Sequence, residues 1–162
     1  MDPWLSKDLF NHNLQVDLVL MTGNVAQVFL DAHEFIDTLK SISNVLVPNG
    51  QLIFEARDPK DKAWLNWNKE SSYTESFIDG LGQINSWVEL TEHAGPLVSF
   101  RWNYYFVKTK KLITSDSTII FRDLDQTTTL IKESGFEIIE ISDAPDRPGK
   151  EHIFYLQKNN SF

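Results

Sequence analysis

The run Val16–Asp17–Leu18–Val19–Leu20–Met21 sets one charge among five apolar residues, a pattern that predicts a strand buried on both faces. Thr22–Gly23–Asn24 then turns the chain. Between Asp31 and Leu46 the period changes, and Phe35, Ile36, Leu39, Ile42 and Leu46 recur along one face of a helix. Asp31 with Glu34 three residues later predicts a capping box at its start, because each side chain can satisfy an otherwise free amide of the first turn. Pro48–Asn49–Gly50 stops the helix, and Gln51–Arg57, with Leu52, Ile53 and Phe54, reads as a second interior strand. Strand, crossover helix and strand make a parallel unit, and parallel sheets are normally covered on both faces.

Past Asp58–Pro59 the rhythm shifts. A short helix is expected from Lys60 towards Lys69, with Trp64 and Trp67 on one side, followed by irregular chain over 70–82. Three extended stretches follow, Gln83–Glu92, Leu97–Val107 and Leu112–Arg122, joined by turns at His93–Pro96 and Lys108–Lys111. Together they predict an antiparallel three-stranded meander. In its middle strand Val98, Phe100, Trp102 and Tyr104 share one face and Ser99, Arg101 and Asn103 the other, so one side is expected to be covered and the other wet or lining a cleft. Asp123 or Asp125 caps a helix through Leu130 and Ile131 that ends at Gly135. Phe136–Ile141 and His152–Gln157 read as strands flanking a charged loop over 143–150 that holds Pro145 and Pro148. Residues 1–14 carry no clear period, although Trp4, Leu5, Leu9 and Phe10 suit a short amphipathic turn. The expected organisation is an N-terminal segment, 1–14, and a single domain, 15–162, with 83–122 inserted in it.

Composition narrows the function. A hydrophobic fraction of 41% with 12% aromatics supports a packed core across 162 residues. The formal net charge of −8 argues against nucleic acid as a partner, since phosphate binding needs basic patches. With no cysteine there is no disulfide and no thiolate chemistry, and no apolar stretch is long enough to span a membrane. A soluble cytoplasmic protein is the expectation. His12, His33, His93 and His152 are scattered without metal-ligand spacing, so no metal is expected.

The order of these pieces resembles the S-adenosylmethionine-dependent methyltransferases. The resemblance is carried by Val16–Met21 with Thr22–Gly23–Asn24, the helix ending in Val47–Pro48–Asn49–Gly50, and Leu52–Ile53–Phe54–Glu55 followed by Arg57–Asp58–Pro59. These are similar to that Rossmann-like fold from its fourth strand onward. Phe136–Ile141 and His152–Gln157 are similar to its terminal antiparallel hairpin. The implied fold class is α/β (α+β in appearance): a partial Rossmann-like sheet with the meander as an insertion and a C-terminal β-hairpin. The implied activity is methyl transfer from S-adenosylmethionine to a small-molecule acceptor.

One departure qualifies that implication. Members of the fold carry a glycine-rich loop after the first strand and an acidic residue after the second, which together hold the cofactor. Here the glycines fall at 23, 50, 80, 82, 95, 135 and 149, and only Gly80 and Gly82 are close together. The chain reads as the rear half of the fold, expected to bind S-adenosylmethionine weakly or not at all and to be inactive alone. The alternative is a non-catalytic dimerising or ligand-binding module derived from the same fold.

Candidate site residues follow from position. By the resemblance, Thr22, Gly23 and Asn24 border the cofactor; the alternative is that Gly23 makes the turn and Asn24 satisfies backbone groups. Glu55 and Arg57 stand at the carboxyl end of a strand, where ligands gather in open α/β sheets, and either orient substrate or pair with each other or with the meander. Trp64 and Tyr104, with Trp67, Trp87, Trp102 and Tyr105, either line a substrate pocket or belong to the core. Arg101 and Arg147 are the candidate contacts for an acidic substrate, and no residue is assigned to catalysis. Finally, Val16–Met21 has no partner upstream, so its edge is expected to be covered, by the same strand of a second copy or by the segment with Trp4, Leu5 and Phe10.

Overall fold

The computed structural model describes residues 14–159. In chain order the strands and helices are β1 Val16–Met21, α1 Ala32–Val45, β2 Leu46–Arg57, α2 Lys69–Ser72, β3 Thr74–Ile78, β4 Gly82–Ala94, β5 Leu97–Phe106, β6 Lys111–Ile120, α3 Leu124–Glu133, β7 Phe136–Asp143 and β8 Glu151–Lys158. They fall into two compact units, one comprising the chain up to Asp61 and from Arg122 onward, the other Lys62–Phe121. The segment with Trp4, Leu5 and Phe10 lies outside the described residues.

The first unit is built on a sheet of order β1-β2-β8-β7, in which β1 and β2 are parallel and β8 runs antiparallel to both β2 and β7. This is the mixed α/β arrangement expected, with the parallel unit and the closing hairpin in place. Met21, Leu52, Phe54, Phe154 and Leu156 point to one face, where Phe35, Leu39 and Ile42 of α1 and Ile131 of α3 pack on them. Phe54 and Phe154 stack with centroids 4.7 Å apart, and Phe35 meets Phe54 edge-on at 5.9 Å. Asp31 caps α1, its carboxylate accepting from the backbone N–H of His33 and Glu34. A full capping box forms at α3, between Asp123 and Gln126. Pro48–Asn49–Gly50 does not separate helix from strand as expected. It bulges within β2: the partner register jumps from Leu46 to Gln51 while β1 advances only from Val16 to Leu18. Gly50 is required there by close approach, since a Cβ would lie 2.9 Å from the Val47 carbonyl oxygen.

The expectation that β1 is buried on both faces is corrected. Leu18 and Leu20 are 46% and 57% exposed. The cause is that α1 and α3 supply their side chains to a single core, on the Met21 and Phe54 side of the sheet. On the opposite side Ile53, Ile153 and Tyr155 are half-buried, with Leu20, Ile53 and Tyr155 in register across three strands and Ile153 opposite Glu55.

The second unit is a four-stranded antiparallel sheet, β3-β4-β5-β6. The expected meander is present as β4 to β6, with β3 added at its edge inside the stretch read as irregular. All five residues of β3 are exposed, so it carries no hydrophobic alternation to reveal it. The helix expected over 60–69 is also corrected. Two short 3-10 turns, Pro59–Asp61 and Ala63–Asn66, stand there, and Asn68 caps the four-residue α2 through the N–H of Ser71. Lys62, at φ 50°, breaks any continuous helix. Trp64 and Trp67 do share a side, packing with Val98, Phe100, Ile119 and Phe121. The two faces of β5 are less distinct than the alternation implied: Tyr104 is 37% exposed, while Asn103 on the other face is buried and donates to Glu89 Oε2 at 2.7 Å. Trp87 stands opposite Asn103 in register.

Two stability outcomes follow. Phe154→Ala removes the ring at the centre of the first unit and is expected to cost about 3–5 kcal/mol, whereas Asp123→Ala, losing only a cap, costs about 1 kcal/mol. Gly50→Ala is expected to destabilise by about 1–3 kcal/mol because backbone, not a flexible side-chain end, stands in the way. Urea unfolding followed by circular dichroism measures all three, and a Gly50→Ala midpoint equal to wild type would contradict the bulge geometry.

Candidate functional site

At the carboxyl ends of β1 and β2 the chain gathers a network of polar side chains within the first unit. Gly23 and Asn24 leave β1 with φ of 74° and 60°, left-handed values that glycine and asparagine accept most readily. Their two backbone N–H groups point at Glu55 Oε1, at 2.8 and 3.3 Å. The carboxylate thus shapes the turn from the neighbouring strand. Two residues on, the backbone N–H and the Nη1 of Arg57 both reach Gln27 Oε1 at 3.4 Å.

β8 completes the network. Pairing sets Glu151 opposite Arg57, on the face away from α1 and α3. Glu151 is 2% exposed, and its Oε1 accepts from Asn24 Nδ2 at 3.2 Å and from Arg147 Nη1 at 2.7 Å. Arg57 Nε lies 3.7 Å from the same oxygen. Burial pushes the Arg57 guanidinium below its ordinary range, and the Glu151 charge opposes that shift. Arg147 is delivered by the loop after β7, where Asp143 accepts twice from the Gly149 N–H and Arg147 N–H donates to the Ala144 carbonyl. Its guanidinium also meets Asp146 at 3.1 Å. Two acceptors in this cluster receive no hydrogen bond: Glu151 Oε2 and Asn24 Oδ1, both inaccessible to solvent.

On the other face of the same strand end, Asp58 pairs with His152, Nε2 to Oδ2 at 3.3 Å, and its backbone N–H donates to the Lys150 carbonyl. Adjacent residues of a strand face opposite ways, so Arg57 and Glu151 belong to one face and Asp58 and His152 stand apart from them.

Of the residues singled out in the sequence, Gly23, Asn24, Glu55, Arg57 and Arg147 come together here, and Thr22 is exposed beside them. The alternative pairing of Arg57 with Glu55 is corrected: its ion-pair partner within the first unit is Glu151. Trp64, Arg101 and Tyr104 belong to the second unit. Trp64 is buried in that unit's core, ringed by His93 and Phe121 at 4.8 and 4.7 Å. Tyr104 stacks on Trp102 at 6.0 Å. Arg101 lies on the opposite face from Tyr104, doubly bonded to Asp116, which holds its guanidinium above the ordinary range. Glu151 itself escaped the sequence reading. Nothing local marks it, because its role follows from its register opposite Arg57, 94 residues away in the chain.

The residues present test the fit of an adenosyl cofactor. Its adenosine half calls for a glycine-rich loop and a ribose-binding acid, and the glycine positions supply no such loop. The Gly23 and Asn24 N–H groups are already taken by Glu55. The described residues therefore do not make a complete site for S-adenosylmethionine, and no group of three or more metal-ligating side chains occurs among them. No described helix is long and apolar enough to cross a membrane.

No family model matches the sequence, and no curated protein matches it. Solved structures do match the fold. An S-adenosylmethionine-dependent methyltransferase from Clostridium acetobutylicum superposes with a TM-score of 0.69 at 13% identity, over 93% of this chain and 61% of its own. The sugar N-methyltransferase KedS8 from Streptoalloteichus gives 0.70 at 12%, over 94% and 61%. The CcbJ methyltransferase from Streptomyces caelestis gives 0.65 at 12%, over 90% and 58%. The chain thus spans about 60% of the length of these solved chains. At such identities the likeness concerns architecture: the fold is that of the S-adenosylmethionine-dependent methyltransferases, over the part of it that this chain spans.

Proposed function

We propose that this chain is the rear portion of a methyltransferase that moves a methyl group from S-adenosylmethionine to a small molecule, and that it is inactive without the cofactor-gripping front of the fold. The observation that carries the reading is the sheet order β1-β2-β8-β7, a parallel pair closed by an antiparallel hairpin, with the polar network at the carboxyl ends of β1 and β2. Ligands in open α/β sheets gather at that edge. Gly23 and Asn24 then border the methyl donor, and Glu55 and Arg57 orient the acceptor. A chain without cysteines loses nothing in a reducing compartment, and a cytoplasmic setting is part of the proposal.

Calorimetric titration tests this reading. The 162-residue chain is expected to give no heat with S-adenosylmethionine, and binding is expected to return when a glycine-rich βαβ segment is joined ahead of Met1. Absence of binding in both overturns the enzyme reading.

A second reading, a non-catalytic dimerising module, is favoured by one observation: Leu18 and Leu20 are exposed along β1, which among the described residues is the outermost strand of its sheet. An open strand edge flanked by apolar side chains is a template for association, and full burial of one such leucine is worth about 1.5–3 kcal/mol. The partner proposed is a second copy, pairing β1 with β1. Light scattering is expected to report a dimer that becomes monomeric when Leu18→Lys and Leu20→Lys are combined. A wild-type monomer sinks it.

A further inference from the structure

The Asn24–Glu151 contact contains an imbalance that the protein's own groups leave standing. Glu151 Oε1 collects two hydrogen bonds and a close guanidinium, while Oε2, equally buried, collects nothing. Asn24 is 5% exposed and donates through Nδ2, yet its Oδ1 is also unpartnered. Turning the Asn24 amide over offers no escape, because Oδ1 would then face Glu151 Oε1, acceptor against acceptor. Leaving a buried acceptor unpaired costs about 1–3 kcal/mol, and more when it is charged. Two side chains bonded to each other at 3.2 Å thus present two hydrogen-bond acceptors that lack donors.

Charge narrows what can supply those donors. Glu55, Asp146 and Glu151 contribute three carboxylates to the cluster against the two guanidiniums of Arg57 and Arg147, leaving one negative charge in excess. A hydroxyl brings one donor and no charge. An alkylammonium brings three donors and one positive charge, so it can take the place of a guanidinium without deepening the excess, which a neutral hydroxyl cannot. Access is set by the cations already on Glu151. The Arg147 side chain is 41% exposed and that of Arg57 29%, so Arg147 is the arm with more freedom to swing away. Exchanging one cation for another spares Glu151 the cost of standing alone in a buried place.

We propose that the Asn24–Glu151 pair anchors a protonated amine of a small-molecule ligand, which displaces the Arg147 guanidinium on entry. The amine is an anchor and not the reacting atom, because an ammonium held charged has no lone pair to attack with. The inference deepens the methyl-transfer reading by naming a group its acceptor carries, and rests on that reading only for the acceptor's identity; the anchor itself is tested with no methyl donor present, so the two can fail separately.

The test is an NMR titration of the full chain, following the Asn24 side-chain amide and the Nε–H groups of Arg57 and Arg147. The probes are propylammonium chloride, n-propanol and tetramethylammonium chloride, the last a cation without N–H donors. Saturable shifts are expected with propylammonium alone. Glu151→Gln is expected to weaken that binding about tenfold or more, the scale of a lost charge-assisted hydrogen bond. Arg147→Ala, with its retained fold checked by circular dichroism, is expected to tighten it several-fold, and the three probes on the unmodified chain decide the matter if that variant does not fold. Equal shifts with tetramethylammonium mean simple charge screening, and equal shifts with propanol mean a donor site without charge preference. No response at all means resident water or a closed site. Each of these, or an unchanged or weaker affinity in Arg147→Ala, overturns the proposal.

Discussion

A single buried carboxylate ties the carboxyl edge of the sheet together. Glu151, 2% exposed, opens β8 and receives Asn24 from the turn after β1, Arg57 from the end of β2 and Arg147 from the loop after β7. A charge taken so far out of water is tolerated only with close compensation, and removing one partner from such an arrangement typically costs about 3–5 kcal/mol. The compensation comes from three segments far apart in the chain, so their mutual placement is a condition of burying the charge. Glu55 acts alongside it, drawing the Gly23 and Asn24 amides towards β2 and setting the conformation that aims the Asn24 side chain. The carboxyl edge is therefore organised by electrostatics, while the body of the sheet is held by the aromatic cluster of Phe35, Phe54 and Phe154.

The same sheet is unevenly covered. Its helix-bearing face buries Leu39, Leu46, Leu52 and Leu156 completely, and the opposite face leaves Leu18 and Leu20 in contact with solvent. The fold is shared with solved methyltransferases, of which this chain spans 61% of the length. The second unit manages its surface differently. It closes its own small core around Trp64, Val98, Ile119 and Phe121 and pairs Arg101 with Asp116 on an exposed face. Ion pairs as exposed as that one contribute little to stability, so the unit depends on its strand pairing and aromatic cluster.

Much of this architecture was legible in the residue pattern, for reasons that differ by element. β1 was bounded correctly because a dense apolar run followed by Thr22–Gly23–Asn24 has few other readings, and α1 because its apolar stripe and Asp31 cap agree. The terminal hairpin and α3 were clear for the same reason: period, cap and stop signal coincide. β3 was hidden because every one of its residues faces solvent, and Lys60–Lys69 misled because two tryptophans at helical spacing also suit a pair of tight turns. At the site, Gly23, Asn24, Glu55, Arg57 and Arg147 were recognisable from their places at strand ends and in a charged loop, but Glu151 was not.

The sequence by itself determined the local elements and their order, since apolar period, capping residues and turn formers act over a few neighbours and need no knowledge of the rest of the chain. Only the tertiary structure decided which face of β1 is covered, that Gly50 sits in a bulge against the Val47 carbonyl, and that Arg57 pairs with Glu151 in place of Glu55. Those outcomes follow from register and from the side on which helices settle. Both are properties of strands brought together from opposite ends of the chain, and no window of adjacent residues encodes them.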